Sequence, residues 1–101
     1  MRAPALLLAL LLPAAVLAQS PESLQVRSLA ATCATCHGTD GRAAAGTSMA
    51  GLAGQPREYL LQQLRAFREG SRPATVMHQI ASGYSDAQLQ QLAAYFAAQK
   101  K

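Results

Sequence analysis

The stretch that constrains this chain most is Cys33-Ala34-Thr35-Cys36-His37. Two thiols three positions apart on one helical turn can each add to a vinyl group of the same porphyrin. The next residue then turns its imidazole toward the iron. Cys-x-x-Cys-His is accordingly the attachment pattern of a c-type haem. Attachment uses both cysteines permanently, and the chain has two. Other uses of Cys-x-x-Cys compete. A thioredoxin-like redox pair belongs in a βαβ setting, and this chain shows almost no strand pattern. A zinc site needs four ligands. Cys33, Cys36, His37 and His78 are the bare minimum, and His37 abuts Cys36 without the usual gap. A plain disulfide is the third alternative. The adjacent histidine favours haem.

The N-terminus reads differently from the rest. Met1-Arg2 is a short positive start, Ala3 to Leu12 is an almost unbroken Ala/Leu run, and Val16-Leu17-Ala18 is a small-residue cleavage pattern. Residues 1–18 are expected to be a cleaved signal peptide, and residues 19–101 one small domain. An uncleaved membrane anchor is the alternative. The apolar run is shorter than the ~20 residues a spanning helix needs, and Pro4 and Pro13 interrupt it. Export to the periplasm suits the haem reading, since haem joins Cys-x-x-Cys-His outside the cytoplasm. No membrane span is expected after cleavage. Losing Arg2 would lower the net charge of +4 to +3. That charge is too weak and too scattered to indicate nucleic acid. Arg57, Arg65, Arg68 and Arg72 read as the solvated face of one helix and its exit. A basic rim could still steer an acidic redox partner.

Three helical segments follow from the pattern. Ser20 is a candidate N-cap with Pro21 at the first helical position. Val26, Leu29, Ala30 and Cys33 then recur at i, i+3, i+4 and i+7, so this helix should deliver the cysteine pair from its C-terminal end. Gly38, Asp40 and Gly41 break it. Arg42 to Gly54 has no period and reads as a loop over one haem edge, with Met49 and Leu52 tucked inward. Pro56 starts the second helix, whose apolar face is Tyr59, Leu60, Leu64 and Phe67, and Gly70 ends it. A short helical turn is expected within Ala74 to Ala81, closed by Gly83. Ser85 and Gln88 form a capping box. Leu89, Leu92, Ala93 and Phe96 give the last helix one apolar stripe, which should cross the first helix.

One histidine leaves the other face of a haem iron open. Met there gives a six-coordinate electron-transfer site, and an open face gives gas binding or peroxide chemistry. The mature chain offers Met49, Met77 and His78. Met77 leads, because it follows a Pro-containing loop that can cross the distal face. Met49 reads as a flexible core filler. His78 and an open site remain the alternatives.

The assembled pattern resembles a class I c-type cytochrome over nearly the whole mature chain. Cys33 through Gly41, Leu52-Ala53-Gly54-Gln55 with Tyr59-Leu60, and Ser85-Asp86 through Ala93-Ala94-Tyr95-Phe96 carry the likeness. The resemblance implies an all-α cytochrome c fold: three main helices around one covalent haem c. It implies Cys33 and Cys36 as thioether anchors, His37 as proximal ligand, and Met77, eight residues before Ser85, as distal ligand. Arg72 to Ala81 is similar to the haem subunit of flavocytochrome c sulfide dehydrogenase. That likeness implies a flavoprotein (FAD) sulfide dehydrogenase subunit as electron donor, and other redox proteins as acceptors. There are departures. Many relatives carry Gly where Gln25 stands at the helix crossing, with only Ser28 small nearby. Many also have Pro where Ala50 stands, and its carbonyl holds the proximal imidazole.

The expected function is single-electron transfer through haem, with no chemistry of the chain's own. The narrower version is the haem subunit of a flavocytochrome c sulfide dehydrogenase, and its rival is a free soluble cytochrome serving an oxidase or reductase. A peroxidase-like or gas-binding haem would need Met77 to be displaceable. Ala34, Thr35 and the Ala43 to Gly46 loop are expected at the exposed haem edge, and Arg42 and Arg72 near the propionates. A chain this short also has trouble burying enough apolar surface alone; haem supplies a large flat apolar body. The Cys33→Ala/Cys36→Ala variant is therefore expected to lose most of its helical circular dichroism. Native helix content in that variant would overturn the expectation.

Overall fold

Long helices form where the sequence supplies a cap, a proline or an apolar stripe. Ser20 caps α1 (Pro21–Ala31): its hydroxyl accepts from the Ser23 amide at 3.2 Å, and Pro21 opens the helix. Thr32 ends it. The Thr32 hydroxyl donates to the Leu29 carbonyl at 2.7 Å, and its amide turns to the same carbonyl at 3.2 Å. Such side-chain competition for a carbonyl tightens and stops a helix. The first helix therefore does not run on through the cysteine pair, as its periodicity suggests. A separate short helix, α2 (Ala34–His37), carries the motif, and a 3-10 turn (Thr39–Gly41) follows.

The computed structural model describes Met1 and residues 18–101. The expected signal peptide thus falls almost wholly outside the described residues. Pro56 precedes α3 (Arg57–Glu69), and Gly70, at φ +81°, turns left-handed to end it. The short turn expected near Ala81 is α4 (Met77–Ser82), closed by Gly83. The Ser85–Gln88 capping box opens α5 (Asp86–Ala97), with both reciprocal hydrogen bonds present at 3.2 and 2.9 Å. The fold is all-α, with three main helices and no strand among the described residues.

Helix α5 is the centre of the packing. It contacts α1 and α3, and α3 in turn carries α4. The core joins Ala30 of α1, Leu60 and Leu61 of α3, and Leu89, Leu92, Ala93 and Phe96 of α5. The expected crossing of first and last helices is present. Ala30, rather than Ser28, is the small residue buried at it, and Gln25 stays exposed. On α3 the buried face is Leu60 and Leu61, while Tyr59 is 48% exposed. Of the expected face, Leu60 is buried and Leu64 packs against the core, while Tyr59 faces water.

Two arginines of α3 are not merely solvated. Arg65 grips Asp86 with Nε and Nη2, each at 2.8 Å, and Arg68 adds a third donor at 3.2 Å. Gln90 donates to the same carboxylate at 2.8 Å. Asp86 is the first residue of α5, so this cluster clamps its N-terminus to α3. The Arg65 guanidinium holds the Asp86 carboxyl well below its ordinary value of 3.8. A depressed carboxyl stabilises the folded state above its unfolded value and ceases to as pH falls toward its folded one. Asp86→Asn is therefore expected to lower the melting temperature at neutral pH. The gap between variant and parent should narrow progressively as pH falls from roughly 5 toward 2. A gap of constant size in melting curves across that range would show that the charge on Asp86 contributes nothing.

Candidate functional site

The attachment motif sits on the shortest α-helix among the described residues. Cys33 N-caps α2, and Cys36 and His37 end it. The His37 amide donates to the Cys33 carbonyl and the Gly38 amide to the Ala34 carbonyl, both at 2.9 Å. Gly38 then leaves with φ +82°. A Cβ there would come within 1.9 Å of the Arg42 carbonyl oxygen, so only glycine lets the chain double back beside His37.

The His37 side chain is 9% exposed. Its Nδ1 lies 2.7 Å from the carbonyl oxygen of Ala50. A carbonyl only accepts, so Nδ1 carries the proton and Nε2 keeps its lone pair. A hydrogen bond of this kind fixes the tautomer of a metal-binding imidazole and orients its ring. The sequence raised the Ala50 position as a departure, with alanine where relatives carry proline. The contact uses the backbone, and alanine serves.

Ala50 stands where it does because its loop is tied at both ends. The Gly41 carbonyl accepts from the Leu52 and Ala53 amides at 2.8 and 3.1 Å, and the Gly54 amide donates to the Phe96 carbonyl at 2.9 Å. Gly41 is buried at φ +78°, and a Cβ on it would lie 2.8 Å from both Leu52 and Phe96. Asp40, next to it, is the one described non-glycine residue with positive φ, at 54°. The Tyr95 hydroxyl donates to its carboxylate at 2.6 Å. That carboxylate, with burial second, pushes the Tyr95 phenol above its ordinary value.

Cys33 is half-buried and Cys36 exposed, and both thiols are free. Burial pushes the Cys33 thiol upward. A raised thiol is a poor match for a thiol–disulfide exchange centre, which works through a stabilised thiolate. Among the described residues no three His, Cys, Asp or Glu side chains gather as a metal-ion site would need.

The remaining candidates lie on other elements of the chain. Met77 is the first residue of α4 and half-buried; Val76 precedes it without a side-chain cap. The structure thus brings Cys33, Cys36 and His37 together on one turn and puts Met77 on a helix that packs against α3. His78 is half-buried, and its Nδ1 has no hydrogen-bond partner. Met49 is 38% exposed, whereas Leu52 packs against the core. Arg42 donates to the Lys100 carbonyl at 2.8 Å and lies 3.6 Å from Asp40. Arg72 stacks 4.5 Å over the Phe67 ring and donates to Gln63. Both arginines expected near propionates therefore have protein partners. Two open surface depressions, of about 520 and 550 Å³, line α3 and the α1–α5 groove, and neither includes a motif residue.

The residues present fit a covalently attached haem. Two free thiols and an imidazole with a free Nε2 stand on one turn. Met49, Tyr59, Val76 and Ile80 are large apolar side chains that the polypeptide leaves more than a third exposed. No helix among the described residues is long and apolar enough to cross a membrane.

Residues 26–96 match the family described as cytochrome c oxidase, cbb3-type, subunit III. The chain is 42% identical to cytochrome c4 of Pseudomonas aeruginosa, over 70% of this chain and 35% of that protein. It is 39% identical to cytochrome c-554(548) of Halomonas halodenitrificans, over 68% of this chain and 86% of that one. It is 38% identical to the cytochrome subunit of sulfide dehydrogenase of Chlorobaculum tepidum, over 67% of this chain and 60% of that one. The matched part spans only 26% to 35% of the length of the first curated relatives.

Proposed function

This chain belongs to the c-type cytochromes, in the family described as cytochrome c oxidase, cbb3-type, subunit III, and from that premise we propose a monohaem carrier of single electrons, residues 19–101, working in the periplasm after removal of residues 1–18. Cys33 and Cys36 would hold the haem by thioethers, and His37 and Met77 would be the residues that ligate its iron. The observation that carries the assignment is the Ala50 hydrogen bond, which leaves His37 Nε2 free beside two free thiols. Once held there, haem iron supplies reversible one-electron exchange at a potential set by its axial ligands and burial.

The chain's residues hold and aim that group rather than react. The Ala50 carbonyl keeps the imidazole ring from turning. Gly38 and Gly41 bring the backbone close behind it. Thr35 and Ala44 to Gly46 are small and exposed, so a redox partner can approach the haem edge closely there.

The partner proposed is the flavoprotein (FAD) subunit of a sulfide dehydrogenase. The Arg72 to Ala81 segment and the match to the Chlorobaculum tepidum cytochrome subunit support it. The second reading is a free shuttle between redox proteins. Its support is the match to cytochrome c-554(548), which covers 86% of that protein.

Met77→Ala is expected to give a high-spin or water-ligated iron and a potential lower by more than ~100 mV. Met49→Leu, a near volume-conserving swap, should leave both unchanged. An unaltered potential in Met77→Ala, or loss of the methionine–iron absorption band in Met49→Leu, would reverse the two assignments. The partner is tested on protein purified gently from its own source, by absorption spectra before and after adding sulfide. Haem bands with co-purifying flavin and sulfide-driven haem reduction would support the dehydrogenase subunit. Haem alone, inert to sulfide, would leave the free carrier.

A further inference from the structure

One side-chain hydrogen bond joins the segment that bears the attachment motif to the segment that bears Met77. The Tyr84 hydroxyl lies 2.8 Å from the Thr32 hydroxyl, across 52 positions of sequence. Its direction follows from chemistry. Thr32 has one hydroxyl proton and gives it to the Leu29 carbonyl at 2.7 Å. Tyr84 must therefore be the donor to Thr32.

Each end of this bond moves with a ligand-bearing element. Thr32 precedes Cys33, whose amide is tied to Ala30 at 3.1 Å and whose carbonyl receives the His37 amide at 2.9 Å. Tyr84 belongs to the turn that closes α4. The Gly83 amide reaches Ile80 and the Tyr84 amide reaches Ala81, both at 3.2 Å. Within α4, Ala81 is 1% exposed and pins the C-terminal half to the core. The N-terminal end, where Met77 stands, has no side-chain cap and follows Val76, which is 45% exposed. The end of α4 that carries Met77 is thus the weakly secured one.

We propose that Tyr84 is a positioning residue: by donating to Thr32 it holds α4 against the attachment segment and so keeps Met77 at the iron in competition with small exogenous ligands. This rests on Met77 being the distal ligand. It goes beyond that reading by naming what keeps the ligand in place. The bond is on the surface and contributes modestly, but it acts on the equilibrium between Met77 held and Met77 released.

The test is an absorbance titration of the oxidised, haem-loaded protein with imidazole. Tyr84→Phe keeps the ring and removes only the donor. It is expected to raise the affinity for imidazole about fivefold, the size of one ordinary hydrogen bond. Thr32→Val should do the same, Thr32→Ser should restore parental affinity, and the double variant should equal either single one. In a Met77→Ala background, Tyr84→Phe should change nothing, because no Met77 remains to be held. Unchanged affinity in Tyr84→Phe, additive effects in the double variant, or an equal rise in the Met77→Ala background would overturn the proposal. The two readings fail separately. A Met77→Ala protein with parental spectrum and potential removes Met77 as ligand, and the proposal with it. An altered Met77→Ala protein with a Tyr84→Phe of parental affinity removes the tether alone.

Discussion

The contact between His37 Nδ1 and the Ala50 carbonyl is the interaction that gives the rest of the architecture its meaning. An imidazole free to rotate or to exchange tautomers would be a ligand part of the time. One N–H···O=C bond at 2.7 Å removes both freedoms. The acceptor must then be held at least as firmly as the ring it orients. The Gly41 carbonyl, taking two amides from the loop, and the Gly54 amide, bonded to the last helix, do that. The backbone geometry that allows it is left-handed at Gly38 and Gly41, with no room for a Cβ at either. The glycines near the motif are thus part of the ligand's support as well as helix breakers.

The same network reaches α5. Gly41 meets Phe96, Gly54 bonds to the Phe96 carbonyl, and Tyr95 holds the strained Asp40. Helix α5 supplies most of the buried core and also two adjacent residues that fix the attachment turn. Its N-terminus is clamped to α3 through Asp86. The helix is therefore positioned at one end by ion pairing and at the other by contact with the site. Core packing and site geometry cannot be altered independently in a chain of this size.

Much of this was legible beforehand, because it depends on local chemistry. Ser20 with Pro21, Ser85 with Gln88, and Gly70 each act within a few residues, and each does what its neighbours dictate. The all-α class and the crossing of first and last helices follow from single apolar stripes that must be buried. What the sequence did not reveal lies in pairings between distant residues or in hydroxyls with several options. The apolar period runs from Val26 to Cys33 straight past Thr32, yet the Thr32 side-chain bond to Leu29 stands where the helix ends. Arg65 and Arg68 look like solvent residues until Asp86, 21 and 18 positions away, is brought beside them. Tyr59 fits the α3 stripe by count, but its neighbour Leu61 takes the buried place. The role of Ala50 was half legible, since the carbonyl was foreseeable and its side chain is irrelevant to the bond.

The two halves of the site are built with unequal firmness. The proximal half has a short helix, two constrained glycines, a buried ring and a loop fixed at both ends. The distal half has a six-residue helix with an uncapped start. If the proposed pair of iron ligands holds, the ligand on the weaker side decides whether a small molecule can enter. An electron carrier benefits when that side stays shut, because an open face invites ligand binding and peroxide chemistry. On the proposed reading, with Met77 as the second ligand, closure of that side must come from outside the start of α4. Ala81, buried in the core, secures the C-terminal half of α4. The hydroxyl chain from Tyr84 through Thr32 to Leu29 ties the turn that closes α4 to the segment just before the attachment motif.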